Sequence, residues 1–241
     1  MFGGFFDMDK PFWRWVGKVP DIIALSFLWY VCCIPIVTII PASCALFDAV
    51  SRNLMMDDKG CYKRFFRTFW RELKMGIPMT LLWLVLAAIA FIGDSILTYN
   101  MQQNESYALF SIFYRIMLLF ALGFLGWLVP LESRYHQTFL GLHVNSLRFF
   151  LGRLPGTGLI LLTDILVVAV VLLHQFTLCL IVVAPCLIAI FHSMIVEKAF
   201  MKAFPNDYED GLPVYTEQDR EAIKAIAKAK QEEAENAEYY E

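Results

Sequence analysis

The chain has 241 residues, of which 59% are hydrophobic, with a mean hydropathy of +0.56 and a formal net charge of −3. A soluble domain of this length is normally far less apolar, so the composition argues against one and predicts a single polytopic membrane domain. The bases and aromatic residues of residues 1–18 adjoin a membrane helix, so we expect the lipid bilayer and not nucleic acid as their partner.

Residues 19–50 form an apolar stretch long enough to cross a bilayer, and Pro35 and Pro41 interrupt it. No charged side chain lies between Ile22 and Ile40. The prolines free backbone groups that need partners in lipid, so this segment should pack against other helices. Because two crossings need about 40 residues, we expect a single crossing. A helical hairpin bent at Pro35 to Pro41 is the alternative.

Four further apolar segments predict an all-α polytopic bundle of about five spans. They cover roughly residues 76–97, 109–131, 157–173 and 176–200. Basic residues cluster between spans one and two and between spans three and four, and they return after span five. Since basic loops stay inside, we expect a multi-pass cell-membrane protein with a cytoplasmic C-terminus. Three bases before Pro20 conflict with the external N-terminus that five spans require.

The segment after the first span predicts a cytoplasmic interfacial helix. Between Tyr62 and Leu73 aromatic residues recur at spacings of three and four, and basic residues fill the other face. This pattern is typical of a helix lying at the membrane surface. Docking of a cytoplasmic partner is the sharper interpretation. The docking residues are Lys63, Arg64, Arg67, Trp70 and Arg71.

The composition changes at residue 204, so we separate a transmembrane domain (1–203) from an acidic tail (204–241). The tail has eleven acidic residues against four basic ones. Thr216 can cap a helix there, and alanine-rich sequence follows. Only Ile223 and Ile226 give the helix an apolar stripe, so we expect a solvated cytoplasmic helical tail. Partner binding is the alternative.

Asp164 is the most deeply placed acidic residue of the predicted fourth span, about 13 Å inside Pro155 at 1.5 Å per residue. A charge there costs at least about 2.5–3.5 kcal/mol, which predicts a partner or a protonated state. His192 on the fifth span is the nearest candidate, although hairpin symmetry places it about 7.5 Å nearer the cytoplasm. Direct contact needs helix tilt, or a bridge through Ser193 or water. The pair is either a proton or substrate site or one hydrogen bond that fixes packing.

Asp94 and Arg115 form a second predicted pair, placed almost symmetrically about the loop between spans two and three. An ion pair near the outer interface would fix the helix register without any transport role. Glu132 lies at the cytoplasmic end of span three, where we expect a solvated rim.

Enzyme signatures are absent from the sequence. It contains no GxxxxGK[ST], GxSxG, HExxH or GxGxxG motif. The six cysteines form no CxxC pair, so we interpret them as reduced packing residues. We therefore predict no catalysis, no cofactor and no metal site.

Several motifs resemble the YesL-like family of small bacterial integral membrane proteins, a domain-of-unknown-function family. They are LWYVCCIPIVTIIPASCAL with YKRFFRTFWRELKMG, ESRYHQTFLGLHVNSLRFFL, and APCLIAIFHSMIVEKAF. The resemblance covers roughly residues 1–203 and departs at Ile40, where the family has a small residue. It names no catalytic residue. It implies genes beside carbohydrate ABC transporters, and hence an accessory role in sugar uptake.

Two functional hypotheses follow from these observations. The first is a non-enzymatic accessory or scaffold protein, associated with carbohydrate ABC transporter subunits through the interfacial helix. The second is a small secondary transporter or channel with an intramembrane Asp164/His192 site, in which the proline-broken first span moves.

Overall fold

The computed structural model describes residues 11–56, 60–104, 106–135, 137–173, 177–209, 212–214 and 221. The chain divides into two compact units, Met1–Ser193 and Met194–Glu241. The predicted helical architecture is confirmed for the described part. Its helices are α1 (Pro11–Cys33), α2 (Ile39–Met56), α3 (Cys61–Gln103), α4 (Tyr107–Arg134), α5 (Phe139–Gly152), α6 (Leu154–Leu173) and α7 (Thr177–Ala203).

The apolar stretch of residues 19–50 folds as two helices and not as one continuous crossing. Helix α1 ends at Cys33, and a 3-10 turn at Ile36–Thr38 leads into α2. Pro35 has no amide hydrogen to continue the helix. The Thr38 hydroxyl lies 2.5 Å from the carbonyl oxygens of both Cys32 and Pro35. It can therefore donate to the Cys32 carbonyl, which the end of α1 leaves open.

Helices α1 and α2 form the helical hairpin that was the alternative prediction. The Tyr62 hydroxyl, at the start of α3, donates a 2.6 Å hydrogen bond to Asp21 of α1. Leu25 of α1 and Val50 of α2 pack into one apolar cluster with Phe65 of α3. The preferred prediction of one crossing segment is not what forms, because α1 ends at Cys33 and α2 begins at Ile39 and packs beside it.

Pro41 is not a helix break, contrary to prediction. It lies in the first turn of α2, where a missing amide hydrogen removes no helical bond. Its ring packs against Gly76 of α3, and a Cβ atom on Gly76 would lie 2.4 Å from Pro41 Cγ. Pro41 therefore sets the close approach of α2 and α3.

The predicted interfacial helix is the first part of α3 and does not form a separate surface helix. Helix α3 runs unbroken through Pro78. Phe65 is buried, whereas Phe66 and Trp70 are 44% and 68% exposed, so the aromatic residues do not share one buried face. Buried residues recur every three or four positions at Cys61, Phe65, Thr68, Glu72 and Gly76. This stripe combines polar with apolar residues, which the aromatic pattern does not reveal.

In the described residues, three helices are long and apolar enough to cross a membrane: α3, α4 and α7. Helices α5 and α6 meet at a 96° bend and would add a fourth span if they act as one broken span. By length and composition the structure thus supports three or four spans. Neither α1 nor α2 meets this criterion, so the predicted count of about five is not reached in the described part.

In the second unit, a 3-10 turn at Pro205–Asp207 and two short strands follow α7. The Tyr208 hydroxyl donates a hydrogen bond to the buried carboxylate of Glu197. Strand β1 (Tyr208–Glu209) pairs antiparallel with β2 (Leu212–Pro213), a small departure from the all-α prediction. Of the predicted acidic helix after Thr216, all but residue 221 lies outside the described residues.

Candidate functional site in the helical bundle

Asp164 of α6 and His192 of α7 are in direct contact. The distance from His192 Nε2 to Asp164 Oδ1 is 2.9 Å, and the side chains are 11% and 26% exposed. In the tautomer with a proton on Nε2, the imidazole donates to the carboxylate. A symmetric antiparallel hairpin of α6 and α7 would place the two groups at different levels. The direct contact shows that α6 and α7 depart from that symmetry.

An apolar cavity of about 430 Å³ opens beside this pair, bounded by α1, α2, α4, α6 and α7. Asp164 and His192 both line it. Aromatic walls come from Trp29, Tyr30 and Phe47. The volume lies within the usual range for small-molecule sites, and apolar walls with few polar groups are typical of them.

Side-chain contacts fix the helices around the cavity. Trp29 Nε1 donates to Ser43 Oγ at 3.2 Å, which links α1 to α2. The buried indole of Trp127 donates to Thr157 Oγ1 at 2.9 Å, which links α4 to α6. A Cβ atom on Gly126 would lie 2.5 Å from Ile160 Cγ2, so only glycine permits this close approach of α4 and α6. The cavity therefore has well-packed walls.

Asp94 and Arg115 also meet, at 3.0 Å between Arg115 Nε and Asp94 Oδ1. Arg115 further donates to Thr98 Oγ1 at 3.1 Å. Both charged side chains are substantially exposed, and they join α3 to α4. Nearby, Tyr114 donates to the Ala90 carbonyl oxygen at 3.0 Å. These contacts fix the register of α4 against α3.

A buried polar network between α2 and α3 escaped the sequence analysis. Asp48 Oδ1 accepts from Arg52 Nε at 2.9 Å, and Asp48 Oδ2 accepts from Thr68 Oγ1 at 2.6 Å. Asp48 and Arg52 are only 3% and 5% exposed, so Arg52 is not a free charge of a cytoplasmic loop. The available signal was the spacing of four between Asp48 and Arg52, which places them on one helix face.

Glu132 is not the solvated rim residue that the sequence suggests. It is 3% exposed, and Cys44 Sγ lies 3.7 Å from its Oε2. Its Oε1 atom has no hydrogen-bond partner among the described residues. Arg71 lies close by, where it binds Glu72 Oε1 at 2.6 Å and the Ser133 carbonyl oxygen at 2.9 Å. Arg71 thus joins the first part of α3 to the end of α4.

The predicted docking residues fall into two groups. Lys63, Arg67 and Trp70 are exposed on α3. Arg64 is half-buried, and Arg71 binds Glu72 and the end of α4. We define the α3 docking face as the exposed residues Tyr62, Lys63, Phe66, Arg67, Trp70 and Lys74. Within the described ranges, no three His, Cys, Asp or Glu side chains are grouped to hold a metal ion.

Comparison with known proteins gives one match. No curated protein and no solved structure matches the chain. Residues 22–93, from within α1 to Gly93 of α3, match the model of a family described as a protein of unknown function, DUF624. The match covers the hairpin from residue 22 onwards, Pro41 and the α3 docking face, which carry the first motif of the resemblance. It confirms over residues 22–93 the similarity of this chain to the DUF624 family, which includes the YesL-like proteins.

Proposed function

We propose that this chain is a non-enzymatic accessory protein of the cell membrane that associates with carbohydrate ABC transporter subunits through the α3 docking face. The observation that carries the proposal is the exposure of basic and aromatic residues on a helix whose opposite face is buried. Aromatic and arginine side chains are enriched where proteins bind one another. The association with carbohydrate transport rests on the family resemblance.

The packing beneath this face supports a docking role. Thr68 on the opposite side of α3 donates to Asp48 of α2, and Arg71 donates to the Ser133 carbonyl oxygen at the end of α4. These contacts hold the helix in place, so Arg67 and Trp70 are presented without a cost for ordering the backbone. A preorganised surface loses less entropy on binding than a flexible one.

The charge distribution supports a cytoplasmic position for the α3 docking face. The hairpin brings Lys18 of α1 towards the same end of the bundle as the start of α3, since Asp21 binds Tyr62. Lys18 and the basic residues at the start of α3 then lie on one side of the bundle. This arrangement removes the conflict between bases before Pro20 and the external N-terminus that five spans require. The positive-inside tendency makes that side cytoplasmic.

A co-purification experiment tests the accessory role. The full chain is isolated in nanodiscs from its native bacterium, and bound proteins are identified by mass spectrometry. We expect stoichiometric permease subunits and their ATPase. The Arg67→Glu/Trp70→Ala variant should lose them, whereas Arg148→Glu, which reverses an exposed base on α5, should retain them. Recovery of the chain alone, or equal recovery with both variants, contradicts the proposal.

A second candidate function is a small secondary transporter or channel that uses Asp164 and His192. The observation that favours it is the cavity beside the pair. Membrane-embedded acidic residues commonly mark proton or substrate pathways. Measurement of proton-coupled flux in proteoliposomes that contain the Asp164→Asn variant tests this function. That flux should fail in the variant. Flux equal to that of the unmodified chain would exclude it.

A further inference from the structure

The cavity is lined by an acidic side chain and by no lysine or arginine. Its ionisable wall residues are Tyr30, Asp164 and His192. Asp164 uses Oδ1 to bind His192. Its Oδ2 atom has no hydrogen-bond partner in the described part of the chain. The cavity therefore presents a carboxylate oxygen, and no lysine or arginine side chain, to an occupant.

The apolar walls define the remainder of the occupant. Three wall residues, Trp29, Tyr30 and Phe47, are aromatic, and aromatic faces attract cations, most strongly where water is excluded. Most of the other wall is aliphatic, supplied by residues such as Leu122, Val129 and Ile188. An occupant that fits these walls has an apolar body and a single positive charge.

We propose that this cavity binds a monovalent organic cation with an apolar body, of the alkylammonium or arylammonium class. The cationic group lies at Asp164 and its apolar part lies against the aromatic and aliphatic walls. A sugar fits poorly, because its many hydroxyl groups would lack partners on these walls and unpaired buried polar groups are costly. An organic anion would meet the Asp164 carboxylate and be repelled.

This inference names a ligand class for the second candidate function and uses the same cavity, but it requires binding only. If the cation binds and no flux is detected in proteoliposomes, transport is excluded and the binding site is supported. The two proposals can therefore fail separately.

Calorimetric titration of the full chain tests the proposal. The protein is placed in nanodiscs of zwitterionic lipid, so that lipid charge does not attract the probe. The probe is benzyltrimethylammonium, and benzoate is its anionic counterpart. We expect saturable binding of the cation and at least tenfold weaker binding of benzoate. No saturable binding of the cation, or equal binding of the two probes, would overturn the proposal.

Variants locate the binding to the cavity. Asp164→Asn should weaken cation binding at least tenfold, whereas the matched change Asp94→Asn should leave it unchanged. Phe47→Leu keeps an apolar wall but removes an aromatic face, and we expect a loss of about threefold. This milder change keeps the test decisive if Asp164→Asn does not fold. Unchanged cation affinity in either cavity variant overturns the proposal. A lipid acyl chain that occupies the cavity and that the cation does not displace also overturns it.

Discussion

Two acidic residues of the bundle, Asp48 and Asp164, are held in opposite ways. Both oxygens of Asp48 are bound, one by Arg52 and one by Thr68, and the group is fully enclosed between α2 and α3. Asp164 has one oxygen on His192 while the group faces a cavity. A fully paired buried charge has nothing left to offer a ligand, whereas a half-paired charge at a cavity does. We therefore propose a structural role for Asp48 and a binding role for Asp164.

Replacement of Asp48 should have the largest effect on stability. Asp48→Ala leaves Arg52 buried beside a lost carboxylate, and breaking a buried pair in this way costs about 3–5 kcal/mol. Thermal unfolding in nanodiscs measures the loss. The double variant Asp48→Leu/Arg52→Met removes both charges and should recover most of the stability. A single variant as stable as the unmodified chain would show that the α2–α3 network is not structural.

The contact of Gly76 with Pro41 gives the next largest effect. A methyl group on Gly76 meets the rigid proline ring at 2.4 Å, so Gly76→Ala should force α2 and α3 apart at a cost of about 2–3 kcal/mol. Gly158→Ala is the matched control, because a Cβ atom there meets nothing within 4 Å. Denaturant titration should show a lower free energy of unfolding for Gly76→Ala than for Gly158→Ala. Equal stabilities would contradict the close packing of α2 on α3.

Thr157→Val sharpens the comparison at the cavity side. The change keeps the shape of the side chain but leaves the buried Trp127 indole without its acceptor, at a cost of about 1–2 kcal/mol. The variant should also show altered Trp127 fluorescence. Since Thr157 does not line the cavity, cation binding should persist below the unfolding temperature. Loss of cation binding without loss of stability would contradict the placement of Thr157 outside the cavity.

The smallest effect is expected at the exposed pair. Asp94→Asn removes an ion pair whose partners are 35% and 53% exposed, and such pairs contribute less than about 1 kcal/mol. The thermal unfolding midpoint should move by only a few degrees at most. A loss as large as that of Asp48→Ala would break the distinction between enclosed and exposed pairs.

The sequence predicted the helices but not which residues they enclose. Apolar length predicted helical spans within α3 and α4, because crossing a bilayer needs long apolar helices. The first helical pair was misread because α1 and α2 both extend into polar sequence outside residues 19–50. Phe66 and Trp70 looked like the apolar side of α3, yet Thr68 and Glu72 are buried instead. Thr68 binds Asp48, twenty residues away on another helix, and periodicity does not contain such a contact.

The candidate site was predictable in its members but not in its environment. A lone acidic residue in an apolar helix points to a partner, and Asp164 and His192 were paired on that ground. The cavity requires five helices to leave a gap, and that gap depends on contacts such as Gly126 on Ile160. Asp48 was overlooked because its role depends on Thr68, twenty residues away and on another helix.

The most direct test of the distinction between the two acids is a paired measurement on Asp48→Asn and Asp164→Asn in the same nanodiscs, with unfolding midpoint and benzyltrimethylammonium affinity read for each. We expect Asp48→Asn to lower the midpoint strongly and to bind the cation normally while folded. We expect Asp164→Asn to keep its midpoint within a few degrees and to lose binding at least tenfold. The reverse pattern would contradict the assignment of structure to Asp48 and of binding to Asp164.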